Sequence, residues 1–336
     1  MPFPSRMRVL ITGAGGFVGR HLITALAAPQ DAPEIVAGTY GEEASSLLGA
    51  RTVSLDVTDA EQTLAVIEAE QPTHVMHLAG ISVVSQANRD VRKTWDVNTQ
   101  GTLNVALAIK EGAPACRLLF CSSAQVYGGS FRSGKPLAED APLDPENIYA
   151  SSKAAADLLI GQMAKDGLRA VRLRPFNHTG PGQLPDLAAA SFASQIAAIE
   201  RGEQEPVMKV GNLSMRREFL DVRDVVDAYV KAIQRFDSLL NGSVFNIASG
   251  DAIEVDAILK ILLAMSSRKI NLAPDPQRMR PNDTPVMVGN AEALRRALNW
   301  RPRRKLADTL KSVLDYYRDP QSYSWADQTN EKDRGA

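Results

Sequence analysis

Tyr149-Ala-Ser-Ser-Lys153 sets a phenol and an ammonium four residues apart, which on a helix puts both on one face. An ammonium beside a phenol favours the phenolate, and a positively charged ring nearby adds to the effect. Such a pair can bring a tyrosine pKa from about 10 towards neutrality and make the phenol an acid and base. Ser123, in the stretch Cys121-Ser-Ser-Ala-Gln-Val-Tyr-Gly128, offers a hydroxyl that can bond a reacting oxygen. Near the chain start, Thr12-Gly-Ala-Gly-Gly-Phe-Val-Gly19 carries glycines at 13, 16 and 19. A turn that lets a pyrophosphate reach the amides of a helix N-terminus needs residues without Cβ. Tyr-x-x-x-Lys alone says little, because many helix surfaces carry it. The order of a glycine turn, a hydroxyl after a strand and a Tyr-Lys helix is what points to proton transfer beside a dinucleotide.

Elements with a regular alternation must position these groups. From Arg8 to Pro175, short β-branched runs (RVLIT, EIVAGT, RTVSL, HVMHLA, RLLFCS, RAVRLRP) alternate with longer helical patterns. That alternation predicts βαβ units: an α/β fold with a doubly wound parallel sheet over residues 1–175. Beyond Pro175 the pattern loosens. Strands near 207–210 and 243–248 and helices near 187–201, 222–236 and 255–265 predict a smaller α/β substrate lobe over 176–320, with part of the chain returning to the first domain. The polar residues 321–336 read as a mobile tail.

Composition bounds the partners. The chain has 336 residues, with 38 Lys plus Arg against 39 Asp plus Glu and a formal net charge of -1, so no overall field attracts nucleic acid or an anionic membrane. No apolar run approaches the roughly 20 residues that span a bilayer, and the first residues lack the sections of a signal peptide, so a cytoplasmic protein is expected. The two cysteines, Cys116 and Cys121, fall in one apolar run and are expected to be reduced. The histidines are scattered, and no metal site is predicted.

The glycine turn assigns Gly13, Gly16, Phe17, Val18 and Gly19 to a dinucleotide phosphate site; a phosphate-loop NTPase is disfavoured because no Gly-Lys-Ser/Thr follows. The second strand ends in Thr39, Tyr40 and Gly41 where NAD binding would want an acid on the ribose. NADP is therefore expected, with NAD as the alternative. Arg20 or Arg51 could supply the charge, though Arg20 reads equally well as a solvated helix arginine. Asp56 and Val57 would take the adenine, and Leu78, Ala79 and Gly80 would let backbone lie against the cofactor.

At this point the chain resembles the extended short-chain dehydrogenase/reductase family over roughly residues 7–318. The resemblance rests on TGAGGFVG, HLAG, NTQGTLNV, SSAQVYG, YASSK and RPFNHTGPGQ. It implies a Rossmann fold and an NAD(P)-dependent enzyme of nucleotide-linked sugars. Tyr149 would be the general acid or base, Lys153 would hold the nicotinamide ribose and tune the tyrosine, Ser123 would bond the reacting oxygen, and Asn98 would brace the active-site strand ends or simply cap a turn. Dehydratases of the family carry an acid in the segment matching SSAQVYG, to remove a sugar proton. Gln125 has no accessible ionisation, so the site suits simple hydride transfer whether Gln125 orients the sugar or only supports its loop.

The substrate segments resemble those of family members that reduce GDP-4-keto-6-deoxy-D-mannose. That likeness implies a GDP-linked 4-keto-6-deoxy sugar as substrate, with Ser82, Gln125 and Asn177 bonding it and Arg217 and Arg280 neutralising its diphosphate. Arg217 could instead pair with Glu218 or Asp221, and Arg280 could be a surface residue. His178 is expected to be a loop histidine held by backbone bonds. Epimerase, dehydratase and non-catalytic regulator remain as alternatives. Helical segments 91–112 and 149–166 are expected to meet their copies in a homodimer with a four-helix interface.

Overall fold

The computed structural model describes residues 7–41, 46–279 and 284–325. The strands β1 (Arg8–Thr12), β2 (Glu34–Thr39), β3 (Ser46–Leu47), β4 (Ala50–Ser54), β5 (His74–His77), β6 (Arg117–Cys121), β7 (Ala170–Pro175) and β8 (Val244–Ile247) form one sheet. Their order is β8-β7-β6-β5-β1-β2-β4-β3, with every pair parallel except β3 with β4. The order reverses at β1, where one half of the sheet runs to β2 and the other to β5. In doubly wound sheets that switch point leaves a crevice at the strands' C-terminal ends.

Both faces of the sheet are covered, which is why its central strand β1 is buried almost throughout. Val9 and Ile11 of β1 face one core and Leu10 faces the other, as a two-residue repeat requires. The longer helices are α1 (Phe17–Ala27), α2 (Ala60–Glu70), α3 (Gly101–Gly112), α4 (Ile148–Lys165), α5 (Ala188–Glu200), α6 (Val222–Gln234), α7 (Val255–Ala264) and α8 (Leu306–Arg318). α1 and α6 lie on the Val9 side, and α2, α3 and α4 on the Leu10 side.

A third core joins α5, α7 and α8 around Phe192, Ile258, Leu259 and Leu314 and forms the smaller lobe. Not all of residues 176–320 lie in this lobe. β8 completes the main sheet beside β7, and α6 packs its Val225, Val226 and Tyr229 into the β1 core together with Leu294, Leu298 and the fully buried Trp300. Hydrophobic period marks a helix as amphipathic without saying which core it covers, so which part of 176–320 returns could not be read that way.

The tail expectation also changes. Residues 321–325 return to the body: Tyr323 meets Tyr316 edge-on at 5.3 Å, and Trp325 meets His21 at 5.0 Å. The remaining tail residues, 326–336, lie outside the described residues. No helix among the described residues is long and apolar enough to cross a membrane. Cys116 and Cys121 are both free thiols.

Candidate active site

A cleft of about 1630 Å³ runs along the C-terminal ends of the strands and on under the smaller lobe. Its walls include Gly13, Gly16, Phe17, Val18, Gly19, Thr39, Asp56, Val57, Leu78, Ala79, Gly80, Ser82, Ser123, Gln125, Tyr149, Lys153, Asn177 and Arg217. Residues spread over two hundred positions of sequence thus share one surface. Arg280 lies outside the described residues.

The glycine turn is built for close approach. Gly13 has φ +67°, and a Cβ on it would stand 2.8 Å from the Ala79 backbone; one on Gly19 would stand 2.4 Å from the Ala14 carbonyl. α1 then begins at Gly16 with no side chain capping its first amides and no acidic residue in its first turn. Uncapped amides at the positive end of a helix dipole fit a pyrophosphate, so the chain's own geometry accepts a dinucleotide here.

Behind the turn runs a buried relay. Thr102 donates to the Asn98 carbonyl at 2.7 Å, and its oxygen lies 3.0 Å from His77 Nε2. The Thr12 hydroxyl lies 2.7 Å from His77 Nδ1 and accepts from the Ala79 amide at 3.1 Å. With Thr102's proton spent on Asn98, His77 must donate through Nε2 and accept from Thr12 through Nδ1. His77 is neutral, because burial and then the charge of Lys153 push its pKa down to about 3.

Asn98 is not on the cleft wall. It sits in a short π-helical turn, Asp96–Gln100, where its side chain accepts from Ile81 N at 2.7 Å and donates to Ile81 O and Ser152 Oγ, both at 3.0 Å. The amide therefore ties the loop after β5 to α4, the helix that carries Tyr149.

α4 starts where it does because Asn147 caps it, accepting from Ala150 N at 2.9 Å. The same cap donates to Gln125 Oε1 at 3.3 Å, so one asparagine fixes both the Tyr149 helix and the orientation of the Gln125 amide. Asn147 was missed in the sequence, although an Asn two residues before Tyr149 is a readable cap signal. Ser123 Oγ accepts from the Gln125 amide at 3.1 Å and stands next to the Tyr149 phenol.

Burial is the largest influence on the acidity of the tyrosine. Burial pushes its pKa up to about 12, the Ser123 hydroxyl drawing it partly back and the Cys121 thiol adding to the rise. The Lys153 Nζ sits 4.5 Å from the centre of the Phe120 ring. Burial also lowers the Lys153 pKa, against the opposing charges of Cys121 and Asp157. Desolvation is thus the largest influence on both groups, and it favours the protonated phenol.

Beneath α4, Asp157 is fully buried and receives Arg174 Nε and Nη2 at 2.9 and 2.8 Å and Arg172 at 2.9 Å. Burial alone would raise its pKa, but the Arg174 hydrogen bonds and charge bring it below the ordinary carboxylate value. Arg174, in the segment that resembles a substrate motif, is therefore structural: it locks β7 to α4.

At the other end of the cleft Arg217 is buried in the wall and donates to the Arg216 carbonyl at 2.9 Å. Glu218 accepts from Ser249, Gly250 and Gly289 amides, and Asp221 from Arg223 and Thr309. Arg278, which the sequence reading passed over, also lines the cleft and donates to Ser191 Oγ at 2.7 Å. His178 is held by the Phe176 carbonyl at 2.9 Å, and burial lowers its pKa.

Neither cation offered for an extra cofactor phosphate lines the cleft. Arg51 forms an ion pair with Glu70, and Arg20 donates to the Gly15 carbonyl at 3.0 Å. Tyr40, Asp56 and Thr58 line that end instead. No group of three or more metal-binding side chains occurs among the described residues.

Comparison with known proteins agrees with this geometry. Over 308 residues the chain is 32% identical to GDP-6-deoxy-D-mannose reductase of Pseudomonas aeruginosa, covering 91% of this chain and 96% of that protein. The structure of RMD from Pseudomonas aeruginosa complexed with NADPH superposes with a TM-score of 0.81 at 30% identity, over 94% of this chain and 100% of the other. UDP-glucose 4-epimerase of Thermus thermophilus, solved with NAD, gives 0.80 at 25% identity over 93% and 99%. Residues 9–248 match the model of the NAD dependent epimerase/dehydratase family, and with that match, the glycine turn and the Ser123, Tyr149 and Lys153 set, the chain belongs to this family of NAD(P)-dependent sugar-nucleotide enzymes.

Proposed function

We propose that this chain is a reductase of nucleotide-linked 4-keto sugars, acting on GDP-4-keto-6-deoxy-D-mannose to give GDP-D-rhamnose or a close GDP-6-deoxyhexose. When bound, the reduced dinucleotide supplies a hydride. The protein's part is to hold the ketone oxygen against Ser123, to deliver the Tyr149 proton to that oxygen, and to place the Lys153 ammonium beside the site. A phenol that burial keeps protonated suits this direction, since reduction of a ketone consumes a proton.

The observation that carries the reading is the held Gln125 amide. A 4,6-dehydratase needs a carboxylate to take the C5 proton, and this position offers a neutral group fixed by Asn147. The cleft-lining Glu146 carboxylate is engaged by Arg132 and Thr284. Similarity to the Pseudomonas aeruginosa reductase supports the same substrate. Arg217 and Arg278 are the described cations for its diphosphate.

An epimerase is the second reading, favoured by the likeness to UDP-glucose 4-epimerase. An epimerase returns the hydride to the same sugar and keeps its dinucleotide, whereas a reductase exchanges it every turnover. NADPH oxidation should therefore be measured with GDP-4-keto-6-deoxy-D-mannose, and the product identified by mass spectrometry and its C4 configuration by NMR. Stoichiometric NADPH loss with a 6-deoxyhexose product supports the reductase. Conversion of UDP-glucose to UDP-galactose with no net change in dinucleotide overturns it.

A homodimer is part of the proposal. Val91, Trp95, Leu107 and Leu158 are exposed apolar residues on the helical segments 91–112 and 148–165, an arrangement that suits pairing with a second copy.

A further inference from the structure

The residues after α8 cross back over the molecule and end against the cofactor helix. Trp325 meets His21 of α1 edge-on at 5.0 Å, and the Arg20 guanidinium lies 6.0 Å from its ring. The ring also covers Gly182, where a Cβ would stand 3.0 Å from Trp325 at φ +83°. Three further ties reach the loop His178–Gln183. His21 Nε2 lies 2.9 Å from the Pro181 carbonyl, Tyr317 at the end of α8 donates to the Gln183 carbonyl, and Phe17 stacks on His178 at 6.1 Å. Phe17, His178 and Gln183 line the cleft, while Trp325, Arg20 and His21 stand outside it.

This loop is the passage from the main sheet to the smaller lobe, and its inner face lines the cleft between the glycine turn and the lobe. Its outer face is closed by an aromatic row, Tyr316–Tyr323–Trp325–His21, with centroid separations of 5.3, 5.3 and 5.0 Å. Gly182 leaves the space that the indole fills, so the loop and the strap fit each other. Thr179 donates to Gln183 Oε1 at 2.6 Å and Gln183 Nε2 to the His178 carbonyl at 2.9 Å, which ties the ends of the loop, while its middle, Gly180-Pro181-Gly182, offers few side-chain contacts and takes its order from neighbours.

We propose that Trp325 is a positioning residue: the strap 319–325 clamps the His178–Gln183 loop onto α1 and so pre-orders the wall shared by the dinucleotide and the substrate. Binding energy that would go to ordering the loop is then retained as affinity. Trp325 touches neither ligand; it acts through His21 and the loop. The part concerning sugar nucleotide rests on the function proposed above, and the part concerning the dinucleotide does not.

The test is a titration of full-length protein and its Trp325→Ala and Trp325→Phe variants with NADPH and separately with GDP, with hydrogen exchange followed over residues 178–187. In Trp325→Ala, NADPH should bind about 5- to 20-fold more weakly and the loop amides should exchange faster, at unchanged melting temperature. Trp325→Phe, which keeps a flat ring in the gap, should recover most of both. With substrate turning over, KM should rise in Trp325→Ala while kcat stays within about twofold. Unchanged NADPH affinity and unchanged exchange in Trp325→Ala overturn the proposal, as does a melting temperature that falls in step with affinity and is equally low in Trp325→Phe. If NADPH binding responds as expected and GDP does not bind at all, the clamp stands and the assigned substrate fails.

Discussion

The two ends of the cleft are built on different plans. The dinucleotide end is mainly backbone: the glycine turn, the uncapped start of α1 and the ends of β2, β4 and β5, drawn from the first eighty residues. The proposed substrate end is side chains on elements far apart in sequence, among them Gln125, Asn177, Arg217 and Arg278. On the proposed function, one end recognises by shape and can fail through a single added methyl. The other recognises by charge and hydrogen bonds and should fail by degrees.

Substitutions can break that contrast. Where the two ends meet, Tyr149→Phe should lower kcat by about 100-fold or more and leave NADPH affinity near wild type, read by steady-state kinetics beside a dinucleotide titration. A normal kcat would remove Tyr149 as the proton donor. At the backbone end, Gly13→Ala adds a methyl 2.8 Å from Ala79 in a left-handed conformation. NADPH affinity should drop by about 100-fold, and Gly41→Ala, also at positive φ but with open space around it, should do much less. Equal effects would show strain, not close approach, to be the cause.

At the side-chain end, Arg217→Lys keeps the charge and loses the fork. KM for the sugar nucleotide should rise about 10-fold with NADPH affinity unchanged. A parallel loss of NADPH binding would mean the two ends are not separable. The smallest expected effect is a flat line. Because burial holds the Tyr149 phenol protonated up to about 12, kcat/KM for reduction should stay level from about pH 6 to 9. The sign is that of a raised acid: its donor form is lost only as pH climbs towards that value. A fall with an apparent pKa near 7 would restore the tuning that the Tyr-Lys spacing suggested.

What could be read from the sequence follows the same division. The glycine turn, Ser123 and the Tyr149–Lys153 helix each signal within a few residues of sequence, and the cleft brings them all to its wall. Asn98 was legible as a brace, but the partners it braces, Ile81 and Ser152, lie 17 and 54 residues away. Arg174 could not be placed from its motif, because its motif neighbours reach the cleft while its own guanidinium turns back to Asp157. The strap was invisible for a different reason: polar composition predicts a free tail, and the two aromatic residues that meet the body, Tyr323 and Trp325, weigh little in that composition.

The position of β8 has a consequence for the order in which the molecule is made. It pairs with β7 as the last strand of the sheet, yet it comes about seventy residues later in the chain. During synthesis from the N-terminus, β7 emerges with one side of Ala170–Pro175 open, a row of unpaired amides and carbonyls beside an apolar face. α6, which covers the β1 core, is likewise still unmade. The first 175 residues are thus an incomplete sheet with a sticky margin, and the nascent protein must be kept from pairing with its neighbours until residue 247 has left the ribosome.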